Sequence, residues 1–175
     1  MHSLNIESKN FVGIDVSKHT LDVWDGHHQQ FTQIANDEKG IKSLVKVLRK
    51  NKDPHVICEA TGPYHQQLQA LLAKATIKLS VINPYRIRKF ADACGILSKT
   101  DKIDAKVITL YGEKFNPEET QPLTQIQSKL RELVSFRRHL VESRKVLSQR
   151  TPGFQVPEIQ KLMSKQKVLL DSQIK

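Results

Sequence analysis

The sequence predicts an α/β fold, a mixed sheet flanked by helices, followed by a helical hairpin or coiled coil. Three observations carry that expectation. Short runs rich in β-branched and aromatic residues, at 11–17, 20–25, 30–35, 55–59 and 77–82, read as strands. The first three are joined by links that suit hairpins, whereas the later ones are separated by segments with apolar residues at helical spacing. After Asn116-Pro117 and Pro122 the pattern becomes a 3–4 apolar alternation that continues toward Lys175.

Taken in order, Phe11 to Ser17 is an apolar strand interrupted by Asp15, and Thr20 to Asp25 is its hairpin partner. Gly26-His27-His28 suits the turn into a third strand at 30–35. Asn36 to Gly40 starts a helix whose inner positions are Ile41, Leu44, Val45 and Leu48. The strand 55–59 ends on Glu59. Gly62-Pro63 is expected to open a second helix burying Leu68, Leu71, Leu72 and Ala75. The last strand, Ile77 to Ile82, stops at Asn83-Pro84. Hairpins first and helical crossovers afterwards give a mixed sheet covered by helices, as in ribonuclease-H-like folds.

Segment 98–115 reads as a helix that carries two acids. On a wheel of about 100° per residue counted from Asp101, Ile103, Val107, Leu110, Tyr111 and Phe115 span roughly 180° to 320°. Asp104 falls inside that arc and Asp101 just beyond its edge. For Asp101 a capping box, Ser98-Lys99-Thr100-Asp101, is an alternative reading, but it does not account for Asp104. Asp15, Glu59, Asp101 and Asp104 thus stand where carboxylates are poor structural choices, because buried unpaired acids are costly. Hard oxygen donors of this kind suit Mg²⁺ or Mn²⁺, and an acid cluster with such ions performs phosphodiester chemistry.

The charge balance agrees. The 175 residues carry 28 Lys/Arg against 18 Asp/Glu, a net charge of +10. Residues 84–175 hold 18 of those bases against 10 acids, net +8, so a polyanionic partner is expected. Two cysteines, Cys58 and Cys94, form no CxxC, and reduced thiols in a cytoplasmic protein are the expectation. No apolar run approaches the roughly 20 residues of a membrane span, and no signal peptide is evident.

From Ile126 onward Leu130, Leu133, Leu140 and Leu147 form a stripe widened by Val134 and Val141 and interrupted by Arg137 and Arg144. After the break at 151–157, Ile159, Leu162, Met163, Leu169, Leu170 and Ile174 form a second stripe. A packing seam is the first reading of both, with dimerisation through the leucines its simplest form. Arg137 and Arg144 would weaken a plain two-stranded coil and are candidates to face nucleic acid. The helical pattern is still running at Lys175, without a Gly or Pro stop, so a longer protein is expected.

The blocks Gly13-Ile14-Asp15-Val16-Ser17-Lys18, Glu59-Ala60-Thr61-Gly62-Pro63-Tyr64, Asn83-Pro84 and Lys99 to Ala105 occur in this order. Together they closely resemble the DEDD transposases of bacterial insertion sequences, a group that includes Piv-type DNA invertases and bridge-RNA-guided recombinases. The resemblance implies a RuvC-like catalytic domain at 4–118 and a coiled-coil segment at 124–175. It also implies Mg²⁺ (or Mn²⁺) held by Asp15, Glu59, Asp101 and Asp104, DNA as substrate, a structured guide RNA, and homo-oligomers. The family's covalent serine lies in a downstream domain, and Ser164 and Ser172 do not match it.

Candidate phosphate contacts are Lys18 in the first block, Arg86, Arg88 and Lys89 in the run Tyr85 to Phe90, and Lys99 and Lys102 beside Asp101. A solvated helix face is the alternative for the run, and simple charge balance for the two lysines. Asp22, Asp25, His27 and His28 are expected to be solvated turn residues, and His65 structural. The expected function is metal-dependent DNA cleavage and rejoining in transposition. The alternative is a catalytically incomplete transposase that binds nucleic acid and dimerises. An actin-like kinase would need clustered Gly-rich phosphate loops, and the 7 glycines are scattered.

Overall fold

The computed structural model describes residues 10–96 and 100–175. Five strands, β1 (Asn10–Val16), β2 (Thr20–Asp25), β3 (Gln30–Ala35), β4 (Pro54–Glu59) and β5 (Lys78–Ile82), form one sheet in the order β3-β2-β1-β4-β5. β1, β2 and β3 pair antiparallel as hairpins, and β4 and β5 add in parallel beside β1. The crossovers are α1 (Glu38–Leu48) and α2 (Gln66–Lys74); α3 (Pro84–Ala93) and α4 (Asp101–Phe115) follow β5. This is the expected mixed, ribonuclease-H-like sheet flanked by helices.

Alternation along the strands builds two cores. Val12, Ile14 and Val16 point to one face with Leu21, Val23, Val56, Cys58 and Leu79, and are covered by Ile41, Leu44 and Leu48 of α1 and Leu68 and Leu72 of α2. Phe11, Ile57 and Ile82 point to the other face, against Ile87, Val107, Ile108 and Tyr111 of α3 and α4. A strand buried on both faces has no room for a charge without a reason. β1 nevertheless carries Asp15 on the α3/α4 face, two residues beyond Gly13.

Gly13 explains how close α4 comes. A Cβ there would collide with the Ala105 carbonyl oxygen and the Thr109 side chain. Without it, the Gly13 N–H donates to Thr109 Oγ1 at 2.8 Å, and the same hydroxyl lies 3.1 Å from the Ala105 carbonyl and 3.2 Å from that of Trp24. Gly112 repeats the device one turn on, where a Cβ would sit 2.7 Å from Ile57 Cγ1 and 2.9 Å from Phe11 Cδ1.

Local boundaries differ from the sequence reading in places with identifiable causes. α2 starts at Gln66, not at Pro63, because Gly62 adopts φ +51° and the chain turns through Pro63 and Tyr64 first. α4 is capped by Thr100, whose hydroxyl accepts from Ile103 N at 3.2 Å, so Asp101 is its first residue instead of the closing acid of a box. Ser98 and Lys99 lie outside the described residues. Phe115, placed on the apolar arc, is 56% exposed.

The chain divides into two compact units at Pro122/Leu123. The second comprises α5 (Gln125–Arg150), a single 3₁₀ turn at Thr151–Gly153 and α6 (Pro157–Ile174), with α5 packed on α6 as a hairpin. Thr124 and Gln127 form a complete capping box at the start of α5. Buried and half-buried apolar positions fall at Leu140, Val146 and Leu147 of α5 and at Ile159, Met163, Leu170 and Ile174 of α6. Eighteen residues of α6 rise about 27 Å and the 26 of α5 about 39 Å, so α6 cannot cover all of α5. Leu130 and Leu133 are accordingly exposed, at 59% and 57%. Among the described residues no helix is long and apolar enough to cross a membrane.

Candidate functional site

Three elements deliver carboxylates to one cleft of about 730 Å³ at the C-terminal ends of β1 and β4. Asp15 comes from the end of β1, Glu59 from the end of β4 and Asp104 from the first turn of α4; all three line it. Burial, then the charges of Glu59, Asp104 and Asp22, pushes the Asp15 carboxyl up from 3.8 to about 6. The Glu59 charge also reaches the neighbouring thiol: burial first, then Glu59, raises Cys58 to about 12, so that cysteine is an inert core residue. Cys58 and Cys94 are both free thiols.

Asp22 is a carboxylate that sequence reasoning set aside. It was expected to be solvated, yet it is only 4% exposed and stands directly opposite Asp15 in the β1–β2 register. Directly opposed residues share a face, and like charges there repel. Gln33 Nε2 on β3 donates to Asp22 Oδ1 at 2.8 Å, which holds that side chain in place. The signal was present in the hairpin: once Ser17 to His19 forms the turn, Asp22 must oppose Asp15. Asp25, also expected to be solvated, is the last residue of β2 and is half-buried, with Asn51 Nδ2 donating to its Oδ2 at 3.1 Å. Burial raises its pKa, but the His28 backbone N–H, the His28 ring and Asn51 outweigh it and lower the value overall.

Asp101 is exposed on the first turn of α4 and is not among the residues lining the cleft, whereas Asp104 is. Among the described residues no group of three or more His, Cys, Asp or Glu side chains is gathered closely enough to enclose a metal ion as it stands. The donor chemistry nevertheless fits a hard dication: the donors are all carboxylates, and both burial, the larger cause, and the charges of Glu59 and Asp104 raise Asp15, a penalty that a bound dication would offset.

The cleft also has cationic and aromatic walls. Lys18 and Ser17 line it from the β1–β2 turn, Thr61 and Tyr64 from the loop after β4, and Tyr85 and Arg88 from α3. Asn36 ties two of these loops together, its Nδ2 donating to the Ser17 carbonyl at 2.8 Å and the Tyr64 carbonyl at 3.2 Å. Asn83 caps α3 by accepting from Tyr85 N at 2.9 Å, with Pro84 at the first helical position. That helix buries Ile87 and turns Tyr85, Arg86, Arg88 and Lys89 outward.

The other basic candidates are distributed more widely. Arg86 lies 5.7 Å from the Tyr111 ring centroid and Lys89 5.6 Å from that of Tyr85, with Asp92 also 3.4 Å from Lys89. Lys102 stands 5.5 Å from the Trp24 ring, and Lys106, missed in the sequence, 5.3 Å from the same ring. Arg137 is exposed on α5, and Arg144 forms a solvent-accessible ion pair with Asp171 of α6.

Residues 12–154 match the DEDD family model of IS110 type, described as a transposase. Two relatives described as pilin gene-inverting proteins, from Moraxella bovis and Moraxella lacunata, are each 33% identical over 150 residues. The match takes in 82% of this chain and 46% of theirs, so the chain spans about half the length of those relatives. Among solved structures, the RuvC protein of Thermus thermophilus aligns over 63% of this chain and 99% of its own, with a TM-score of 0.43 and 12% identity.

Proposed function

Since the chain belongs to the DEDD transposase family of IS110 type, we propose that its first unit is the metal-dependent nuclease half of a DNA recombination site. The observation that supports this most directly is the convergence of Asp15, Glu59 and Asp104 on one cleft from three separate elements. These three would hold Mg²⁺ or Mn²⁺. Asp22 backs Asp15 from β2, and Asp101 joins from the start of α4 once substrate and metal draw the acids together. A bound dication would polarise the scissile phosphate and lower the pKa of an attacking hydroxyl or water.

The chain's own residues then divide the work. Lys18 and Arg88, which line the cleft from the β1–β2 turn and from α3, neutralise and orient the flanking phosphates. Asp15, with its pKa near 6, is deprotonated and able to bind metal at neutral pH and loses that capacity as the pH falls below this value. Arg86, Lys89, Lys99 and Lys102 extend the contact to the sugar–phosphate backbone; in the second unit Arg137 is a separate candidate for phosphate contact, whereas Arg144 first has to leave Asp171. The family resemblance implies a structured guide RNA for target choice, which would also explain why no zinc finger or helix-turn-helix is legible in this sequence. The uncovered leucines at the start of α5 are the self-association surface.

Rejoining needs a covalent nucleophile that no serine of this chain matches, so the chain is expected to nick DNA slowly through water and to form no recombinant junctions. Supercoiled plasmid incubated with the chain and Mg²⁺ or Mn²⁺ tests both statements. Asp15→Asn, Glu59→Gln and Asp104→Asn should each lower nicking by roughly two orders of magnitude or more. Metal-independent nicking, or nicking indifferent to all three substitutions, would overturn the site; a protein–DNA adduct would overturn the assignment of the nucleophile.

A further inference from the structure

The carboxylate cleft carries two aromatic side chains that nuclease chemistry does not require. Tyr64 and Tyr85 both line it, from different elements, and are 39% and 66% exposed. A single exposed tyrosine needs no explanation; two on the walls of one acid-lined cleft, beside Lys18 and Arg88, do. The backbone at each is anchored. Asn36 Nδ2 donates to the Tyr64 carbonyl at 3.2 Å, and the turn that carries Tyr64 is set by Gly62 at φ +51°. The Tyr85 backbone is fixed by the Asn83 cap, and Lys89 Nζ lies 5.6 Å from its ring.

Three kinds of group therefore share the cleft: carboxylates suited to metal, cations suited to phosphate, and ring faces. In a paired duplex the base faces are occupied by neighbouring bases, so a protein ring has only edges to meet. An unpaired base offers its face, and stacking on an aromatic side chain is tolerant of sequence. We propose that Tyr64 and Tyr85 form a stacking platform that selects an unpaired DNA base next to the phosphate held at the carboxylates. The substrate class is thus a single-stranded or locally unpaired DNA segment, not continuous duplex. This deepens the nuclease reading above and rests on it for the identity of the neighbouring phosphate.

The test uses the full 175-residue chain in EDTA, so that binding is read without cleavage. Fluorescence anisotropy compares single-stranded DNA, the matching duplex and single-stranded RNA of the same sequence, and 2-aminopurine in the DNA strand reports stacking by quenching. Tyr64→Ala and Tyr85→Ala should each weaken single-strand DNA binding by roughly 5- to 150-fold, the range of base–aromatic stacking at about tenfold per 1.4 kcal/mol. Duplex affinity should stay within about twofold, Tyr85→Phe should bind like the parent, and quenching should vanish in the double alanine variant. Equal losses on single strand and duplex, no loss on either, or tyrosine-dependent binding of the RNA alone would each overturn the platform. Because the assay contains no metal, a chain that stacks bases yet never nicks plasmid contradicts only the nuclease reading. One that nicks but shows no tyrosine-dependent discrimination contradicts only the platform.

Discussion

Asp15 ionises in the fold at about 6 and in the unfolded chain near 3.8, chiefly because it is buried and then because Glu59 and Asp104 share its cleft. Between those values the folded state binds the extra proton, so stability falls as the pH rises across this window, and the full penalty remains above it. The shift corresponds to about 3 kcal/mol, reduced to about 1–2 kcal/mol by the carboxylate's partial access to water. Asp15→Asn should therefore raise metal-free stability by about 1–2 kcal/mol at pH 8 and change nothing at pH 3.5, as read from urea midpoints. Added Mg²⁺ should raise the unfolding midpoint of the parent chain and leave that of the variant nearly unmoved. Of these acids, Asp15 and Glu59 were legible because each interrupts or closes an apolar run, and Asp104 because it falls on an apolar arc. Asp22 was missed: TLDVWD alternates normally when read alone, and only its pairing with Asp15 across the Ser17–His19 turn, and with Gln33 of β3, shows its burial.

At the level of elements, the docking of α4 on β1 decides whether Asp104 reaches Asp15 at all. Gly13→Ala drives a methyl into the Ala105 carbonyl and Thr109, and should cost about 2–4 kcal/mol in urea denaturation and reduce nicking along with it. Thr109→Val keeps the shape but removes the acceptor of the Gly13 N–H, and should cost about 1–3 kcal/mol. Strands were legible because β-branched runs sit between turn residues; the helix starts were less so. α2 begins three residues after Pro63 because Gly62 takes a left-handed turn first, a backbone choice that a Gly-Pro pair does not announce. The cap of α4 falls on Thr100, a hydroxyl two positions from the one the sequence reading chose, and the sequence pattern alone does not separate the two. In the second unit the leucine stripe predicted a seam throughout, but α6 is too short to supply one, and burial stops at the half of α5 it can reach.

For the whole molecule, the excess of bases in residues 84–175 makes binding to nucleic acid an ionic equilibrium. The logarithm of duplex affinity should fall with the logarithm of salt at about −0.9 per phosphate neutralised, and removing Arg88 should flatten the slope by about one contact. The uncovered stretch of α5, with Ile126, Leu130 and Leu133 at 82%, 59% and 57% exposure, should drive self-association at micromolar concentration. Light scattering should report dimers or larger, and Leu130→Asp with Leu133→Asp should leave monomers. The segment after α4 has a different consequence for the intact sheet. Thr120 N donates to the Leu79 carbonyl at 2.8 Å, Thr120 Oγ1 accepts from Val81 N at 2.9 Å, and Ser80 Oγ reaches the Glu118 carbonyl at 2.7 Å. Residues 117–120 thereby occupy the hydrogen-bonding groups of β5, the outermost parallel strand, that a foreign strand would otherwise use. A fragment ending at Phe115 would retain every strand of the sheet and every acid of the cleft, yet present a bare edge made of Leu79, Val81 and Ile82. It should form aggregates that bind amyloid dyes, whereas a fragment ending at Pro122 should stay in solution.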